Sequence, residues 1–512
     1  MSSNNDIEVS LGDISGGLAS AKQACNRAPN ELAEANNIVL LPGGVGFRNR
    51  YGNTAFNATA MSSGSAVTGL GYFSPTGGST WLMAVAGSAL FKSDDLDGTM
   101  DAITGAITIT SSQNNWWDIV TFDDLAIGVG AGDAPWKWTG TGNAAALGGT
   151  PPNGYGAVVH NNRLFIWEGS TIHWSILDDP EDWSGDGSGE AEVQKDDGDT
   201  ILTSVPLGLN QMLVFKRNSV HVLTGRTSPF PLFKLFDGTG AVGRRSVVVA
   251  DGLCYFITPS RKMVVTDGQK LITTTDLPQL SNVDDKFASL NAARLPYIVG
   301  SRLTGSDFDW IVWTASDASA TTNDVALVWD LRHKCWLYCG TGFAANSFVT
   351  TNTSITAPNT TYMGGYDGKI YKLNVSGTYT DASNSSTAIA WELRSDWLTL
   401  ESLMKVARLQ RFNIAYKSVS QDNDATFSYG YDFSEDQRSE AFSLQSTGDL
   451  WDQGLWDVAE FSSASIQIKP CFTLGRGNVF QWALSGSAAQ DFTFHRFSLF
   501  GRQNSQKHFL SK

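Results

Sequence analysis

His333, Cys335 and Cys339 stand together in HKCWLYC, and an imidazole with two thiols is the donor set that zinc favours. If this run is a strand, all three fall on one face. At ~3.3 Å per residue, however, the two sulfurs start about 13 Å apart. That is too far to share one ion, and beyond the ~7 Å Cα limit of a disulfide. The pair therefore reads as buried thiols of a sheet. Gly238-Thr239-Gly240-Ala241-Val242-Gly243 fits G-x-G-x-x-G, which cradles a pyrophosphate when a helix N-terminus follows. Here RRSVVVADG follows and reads as a strand, so no helix end faces a phosphate. The third candidate is acidic. From Asp178 to Asp199 there are seven Asp, three Glu and one Lys, a net −9 in 22 residues. Aligning Asp182, Ser184, Asp186 and Gly187 with a calcium loop puts Val193 where the bidentate Glu belongs, and the match fails. A solvated loop, a calcium site of another kind, or the lining of a cavity whose occupant should not stick remain open. No G-x-S-x-G, H-E-x-x-H or phosphate-loop motif occurs, and the six histidines are scattered. No catalytic, cofactor-binding or metal-ligating residue is assigned, and no cofactor is expected.

The elements that would position these residues are strands. The 512 residues are 42% hydrophobic and 17% charged, with 51 Gly and 17 Trp, a mixture suited to short aromatic strands and tight turns. A repeated strand–turn–strand unit runs from TWLMAVAGSALFKSD to TYMGGYDGKIYKLN. Taking one turn residue from each copy (Gly87, Gly132, Gly169, Asn218, Ser260, His333, Gly368) gives steps of 45, 37, 49, 42, 73 and 35. Apart from the long step, which contains an insertion over residues 273–300, this is the ~40 to 50 residue period of propeller blades. The expectation is an all-β chain: a β-propeller of six or seven blades over 61–375, a polar linker at 376–387, and an antiparallel β-sandwich or platform domain over 388–512. Residues 1–60 form an N-terminal arm that can join the platform.

In the C-terminal part, Ile389, Trp391, Leu393 and Trp397 share one parity while Glu392, Arg394 and Asp396 take the other. Phe427, Tyr429, Tyr431 and Phe433, and then Phe480, Trp482 and Leu484, repeat the pattern, giving one dry and one wet face. One short helix is expected, Pro29 to Asn37. Five dispersed cysteines suggest reduced thiols. The formal charge of −15 argues against tight wrapping of nucleic acid. No apolar run reaches membrane-span length and the N-terminus lacks the pattern of an export signal, so the sequence predicts a soluble, unexported chain.

Ser74-Pro75-Thr76-Gly77-Gly78-Ser79-Thr80-Trp81 resembles the Asp-box turn of sialidase-type propellers, with Thr76 in place of the Asp. A glycan-processing or glycan-binding propeller is therefore one alternative, and a scaffold propeller for protein partners is another. A broader likeness involves SLGDISGGL, APNELAEANNIVLLPGGVGFRNRYGNT, AVVHNNRLFIWEGSTIHWSILDDPEDWSG, GTGAVGRRSVVVADGLCYFIT, GRGNVFQWALSG and FTFHRFSLFGR. Together these segments resemble the tail nozzle (tail hub) proteins of short-tailed bacteriophages. The resemblance implies a non-enzymatic structural virion protein in the tail, made in the host cytoplasm, which forms a homohexameric ring for genome exit. It implies neighbours: tail adaptor or portal-proximal ring proteins, and fibre, needle or plug proteins. Double-stranded DNA would pass through without specific binding. Like charge prevents the adhesion that a basic lining produces. Asp178, Asp179, Glu181, Asp182, Asp186, Asp196, Asp197 and Asp199 are accordingly the candidates for lining that channel.

Overall fold

Strands whose residues are apolar at both parities must be packed on both faces, and the middle strands of the repeat are of this kind. Trp81–Ala86, Leu125–Gly130, Arg163–Glu168 and Val325–Asp330 are buried along nearly their whole length. The computed structural model describes residues 6–10, 13–44, 46–94, 96–351, 359–399, 406–417, 419, 423–445, 466–487 and 491–503. It resolves the repeat into seven four-stranded antiparallel blades. Their inner strands are Val67–Phe73, Trp117–Phe122, Gly156–His160, Thr203–Pro206, Val247–Ala250, Val299–Thr304 and Ser347–Thr351. Each packs against the next, and the seventh against the first, closing a ring.

The ring is closed by the N-terminal segment. Thr54–Ala55 is the outer strand of blade seven, paired with Ile370–Lys372. Separate apolar clusters fill the wedges between blades. Phe73, Met83, Trp117 and Trp136 lie between blades one and two, and Phe165, Trp174, Met212 and Phe230 between three and four. The long step in the repeat has two causes. An insertion carries the helix Asp284–Ser289 and two 3-10 turns. In addition, the His333 hairpin joins the third and fourth strands of blade six, whereas the other six turns join second and third strands.

The C-terminal strands alternate in burial, as in Ala390–Ser395 and Asp424–Tyr431, because only one face packs inward. They form two sheets. One holds Ala390–Ser395, Val479–Ser487, Asp424–Tyr431 and Arg438–Ser443. The other runs Ile38–Leu40, Phe47–Asn49, Thr493–Gln503, Ala407–Lys417, Ile466–Phe472, with Asp6–Ser10 also on Thr493–Gln503. Phe412 stacks on Phe427 across the interior at 4.8 Å between ring centroids, and Trp482 meets Phe497 at 4.9 Å.

Three local expectations are corrected. Residues 31–36 of the anticipated helix are the strand Glu31–Asn36. It lies between Gly17–Leu18 and the outer strand of blade six on one side and Ala390–Ser395 on the other. Sheet pairing on both flanks outweighs the modest helix preference of ELAEAN. The strand completes an eleven-stranded sheet from blade six into the sandwich. Asp396, expected on the wet face, is buried just past the strand end and pairs with Arg27 at 2.8 Å. Phe433, expected on the dry face, follows the end of Asp424–Tyr431 and is exposed. Beyond these three, the polar stretch 376–387 contains the strand Thr380–Asp381, which pairs with Thr387–Ala388, and Asp381 is buried.

Candidate functional site

The acidic stretch does not fold as one loop. The outer strand of blade three, Gly189–Glu192, divides it, and because the strands alternate in direction the two halves lie at opposite ends of the blade. Asp178, Asp179, Glu181, Asp182 and Asp186 occupy the connection into this strand; Asp196, Asp197 and Asp199 occupy the connection out of it. Glu190 and Glu192 are exposed between them. The result is an acidic outer edge on blade three.

Several of these carboxylates also build the turns they sit in. Asp179 accepts the Glu181 N–H at 2.8 Å. Asp182 accepts those of Ser184 and Gly185 at 3.0 and 2.8 Å, which lowers its carboxyl below the ordinary value. Glu181 receives Lys137 of blade two at 2.7 Å and the Gly148 N–H. Burial alone would raise its carboxyl, but these donors outweigh it and hold it low. Asp197 binds the ammonium of the buried Lys216 at 2.7 Å, and Asp199 accepts the Asn218 N–H at 2.9 Å. These two staple the blade three–four connection onto blade four. Asp178, Asp186 and Asp196 point to solvent.

The other sequence candidates are structural in position. Cys335 and Cys339 are the two ends of one strand, both buried and free. His333 Nδ1 lies 3.0 Å from Asp330. Among the described residues no three His, Cys, Asp or Glu side chains are placed to hold a metal ion. Gly238–Gly243 links blade four to blade five and leads to the strand Val247–Ala250. The Asp-box-like turn joins the first two strands of blade one, where the Thr76 N–H donates to Asp124 at 2.6 Å.

Two features escaped the sequence. The first is at the propeller axis, where a cavity of about 340 Å³ is lined by residues from all seven inner strands. Arg244 and Arg245, just before the inner strand of blade five, reach across it. Arg245 donates to the carbonyls of Trp117 at 2.8 Å and Asn346 at 3.0 Å, and so joins blades two and seven from the far side. Arg244 donates to the Trp116 carbonyl at 2.9 Å and stands 2.6 Å from Asp118. Burial brings the Arg245 guanidinium down to about 9, with the like charge of Arg244 adding to the effect and Asp118 opposing it. Nearby, the buried Arg294 lies 4.2 Å over the Tyr297 ring, donates to Asn114 and interacts with the Tyr366 hydroxyl.

The second feature is the outer face of the sandwich. Ile466, Ile468, Phe472 and Leu474 are exposed. They share a parity with Pro470 along the strand Ile466–Phe472 and its continuation, while Cys471 and Thr473 point inward. Across the same face lie Arg411, Lys417, Arg496 and Phe500. Among the described residues no strand pairs with the far side of Ile466–Phe472, the edge of its sheet.

No family model and no curated protein matches the chain. Solved structures similar to it include BamB from Moraxella catarrhalis, at 12% identity over 66% of this chain and 96% of that one, TM-score 0.36. Another is YCF48 from Cyanidioschyzon merolae, at 10% over 63% and 98%, TM-score 0.38. Both are β-propellers. Among the described residues no helix is long and apolar enough to cross a membrane.

Proposed function

We propose that this chain is a structural protein of a short bacteriophage tail, whose copies assemble into the distal ring through which the genome leaves. The observation that carries this reading is the outer face of Ile466–Leu474. Four exposed large apolar side chains in a row on an open edge strand are a pairing surface that a monomer would have to protect. Three cations rim that surface in a chain of net charge −15, so its complement is the acidic surface of a second copy. Such a heterologous contact repeats around an axis, and in this reading its rotation closes after about six copies into a ring instead of running on as a filament. The eleven-stranded sheet supports the same reading, since it joins propeller and sandwich rigidly enough for one contact to fix the orientation of both. In that ring the acidic edge of blade three faces the lumen, and the portal-proximal and fibre or plug proteins of the tail bind at the two ends.

Mass photometry and negative-stain imaging of the purified chain test this. The expected particle is a hollow ring near six copies, which I468E/F472E converts to monomers with unchanged far-UV circular dichroism. A wild-type chain that stays monomeric at all concentrations, or a variant that keeps the ring, overturns it.

A further inference from the structure

The axial cavity has an unbalanced charge. Arg244 and Arg245 line it, and Arg294 stands nearby, just before the inner strand of blade six. Among the described residues the one carboxylate paired with any of them is Asp118, 2.6 Å from Arg244 and 3.8 Å from Arg245. Their other partners are neutral groups: the carbonyls of Trp116, Trp117 and Asn346, the Asn114 side chain, the Trp116 ring and the Tyr366 hydroxyl. Buried cations without counter-charge are costly, and guanidinium groups suit oxyanions because their N–H donors are planar and paired. Arg244 and Arg245 keep 12% and 15% of their side-chain surface exposed, and both line the cavity. The rest of the lining is mostly uncharged, with hydroxyls at Thr203, Ser301 and Thr350 and apolar side chains at Leu70, Val299 and Phe348. At about 340 Å³ the space is at the small end of ligand pockets.

We infer that the propeller axis is a binding site for a small molecule bearing an oxyanion, phosphate or carboxylate, held against Arg244 and Arg245 with the wall hydroxyls as further donors. Bound there, the anion supplies the missing negative charge between blades two, five and seven and tightens the ring where those blades meet. The site is independent of the ring assembly proposed above, because it lies inside one copy.

The test is thermal unfolding in inorganic phosphate and, separately, in acetate, each against sodium chloride at matched ionic strength. A saturable rise of several degrees in at least one oxyanion is expected, phosphate assigning a phosphoryl ligand and acetate a carboxylate. R244Q should lose this rise. Since R244Q also removes a contact between blades, S301D is the companion: it places a carboxylate on the cavity wall, raising the midpoint in chloride and abolishing the oxyanion effect. No rise beyond the chloride control, or a rise that survives in both variants, overturns the assignment.

Discussion

His333 and Asp330 show how a pair that looks like ligand chemistry serves the fold. Asp330 is buried at the end of a blade-six strand and accepts the backbone N–H groups of Arg332 and His333 as well as facing the imidazole. The hydrogen bond to Asp330 raises the imidazole pKa and outweighs the opposing effect of burial. A group raised on folding contributes in full below its unfolded value of about 6.5, and loses that contribution as pH climbs through the folded value. H333Q should therefore cost about 1–2 kcal/mol at pH 5.5, with the gap to wild type narrowing by pH 9. Urea midpoints at the two pH values measure this. The strand spacing that separates Cys335 from Cys339 was legible from chain geometry alone. The roles of Arg48 and Arg50 were not, although both stand in the run Arg48-Asn49-Arg50-Tyr51-Gly52. Their partners Asp307 and Asp381, each at 2.5 Å, are more than 250 residues away, and no local pattern announces a pairing at that separation.

At the scale of the element, the contrast between strands apolar at both parities and strands that alternate distinguishes blades from sandwich, and it is visible in the residues themselves. ELAEAN misled because its type depends on what flanks it, and both flanks come from distant parts of the chain. Gly17, in the short strand beside it, shows how tight that junction is. Its φ is +59°, and a Cβ would stand 2.6 Å from both Cys335 Sγ and the Trp336 carbonyl oxygen. Neither neighbour can retreat, since both belong to a buried strand at the centre of the eleven-stranded sheet. G17A should therefore cost about 2–4 kcal/mol, combining backbone strain with overpacking. The loss should be evident as a lower midpoint in thermal unfolding, and a G17A chain as stable as wild type would show that the junction is loose.

For the molecule as a whole, the blade repeat was readable, but the choice between six and seven blades was settled only by where the chain closes. Blade seven takes its last strand from residues 54–55, a two-residue segment with no signature of its own. The acidic composition of residues 178–199 was equally plain in the sequence, yet its spread over an outer edge came from the strand that splits it. That edge yields a prediction about DNA. If it faces a passage for the genome, it must repel phosphate, and reversing its sign should create adhesion where none existed. D186K, E190K and D196K change exposed residues and shift the net charge from −15 to −9, leaving the turn-building carboxylates in place. In gel retardation at 50 mM salt, wild type should leave double-stranded DNA unshifted and the triple variant should retain it. Retention should fall steeply by 300 mM as counterions compete, with a slope of log affinity on log salt of order −3 for three phosphate contacts. A wild-type chain that binds as tightly as the variant would mean that the negative edge does not govern contact with DNA, and that its place is on the exterior of the particle.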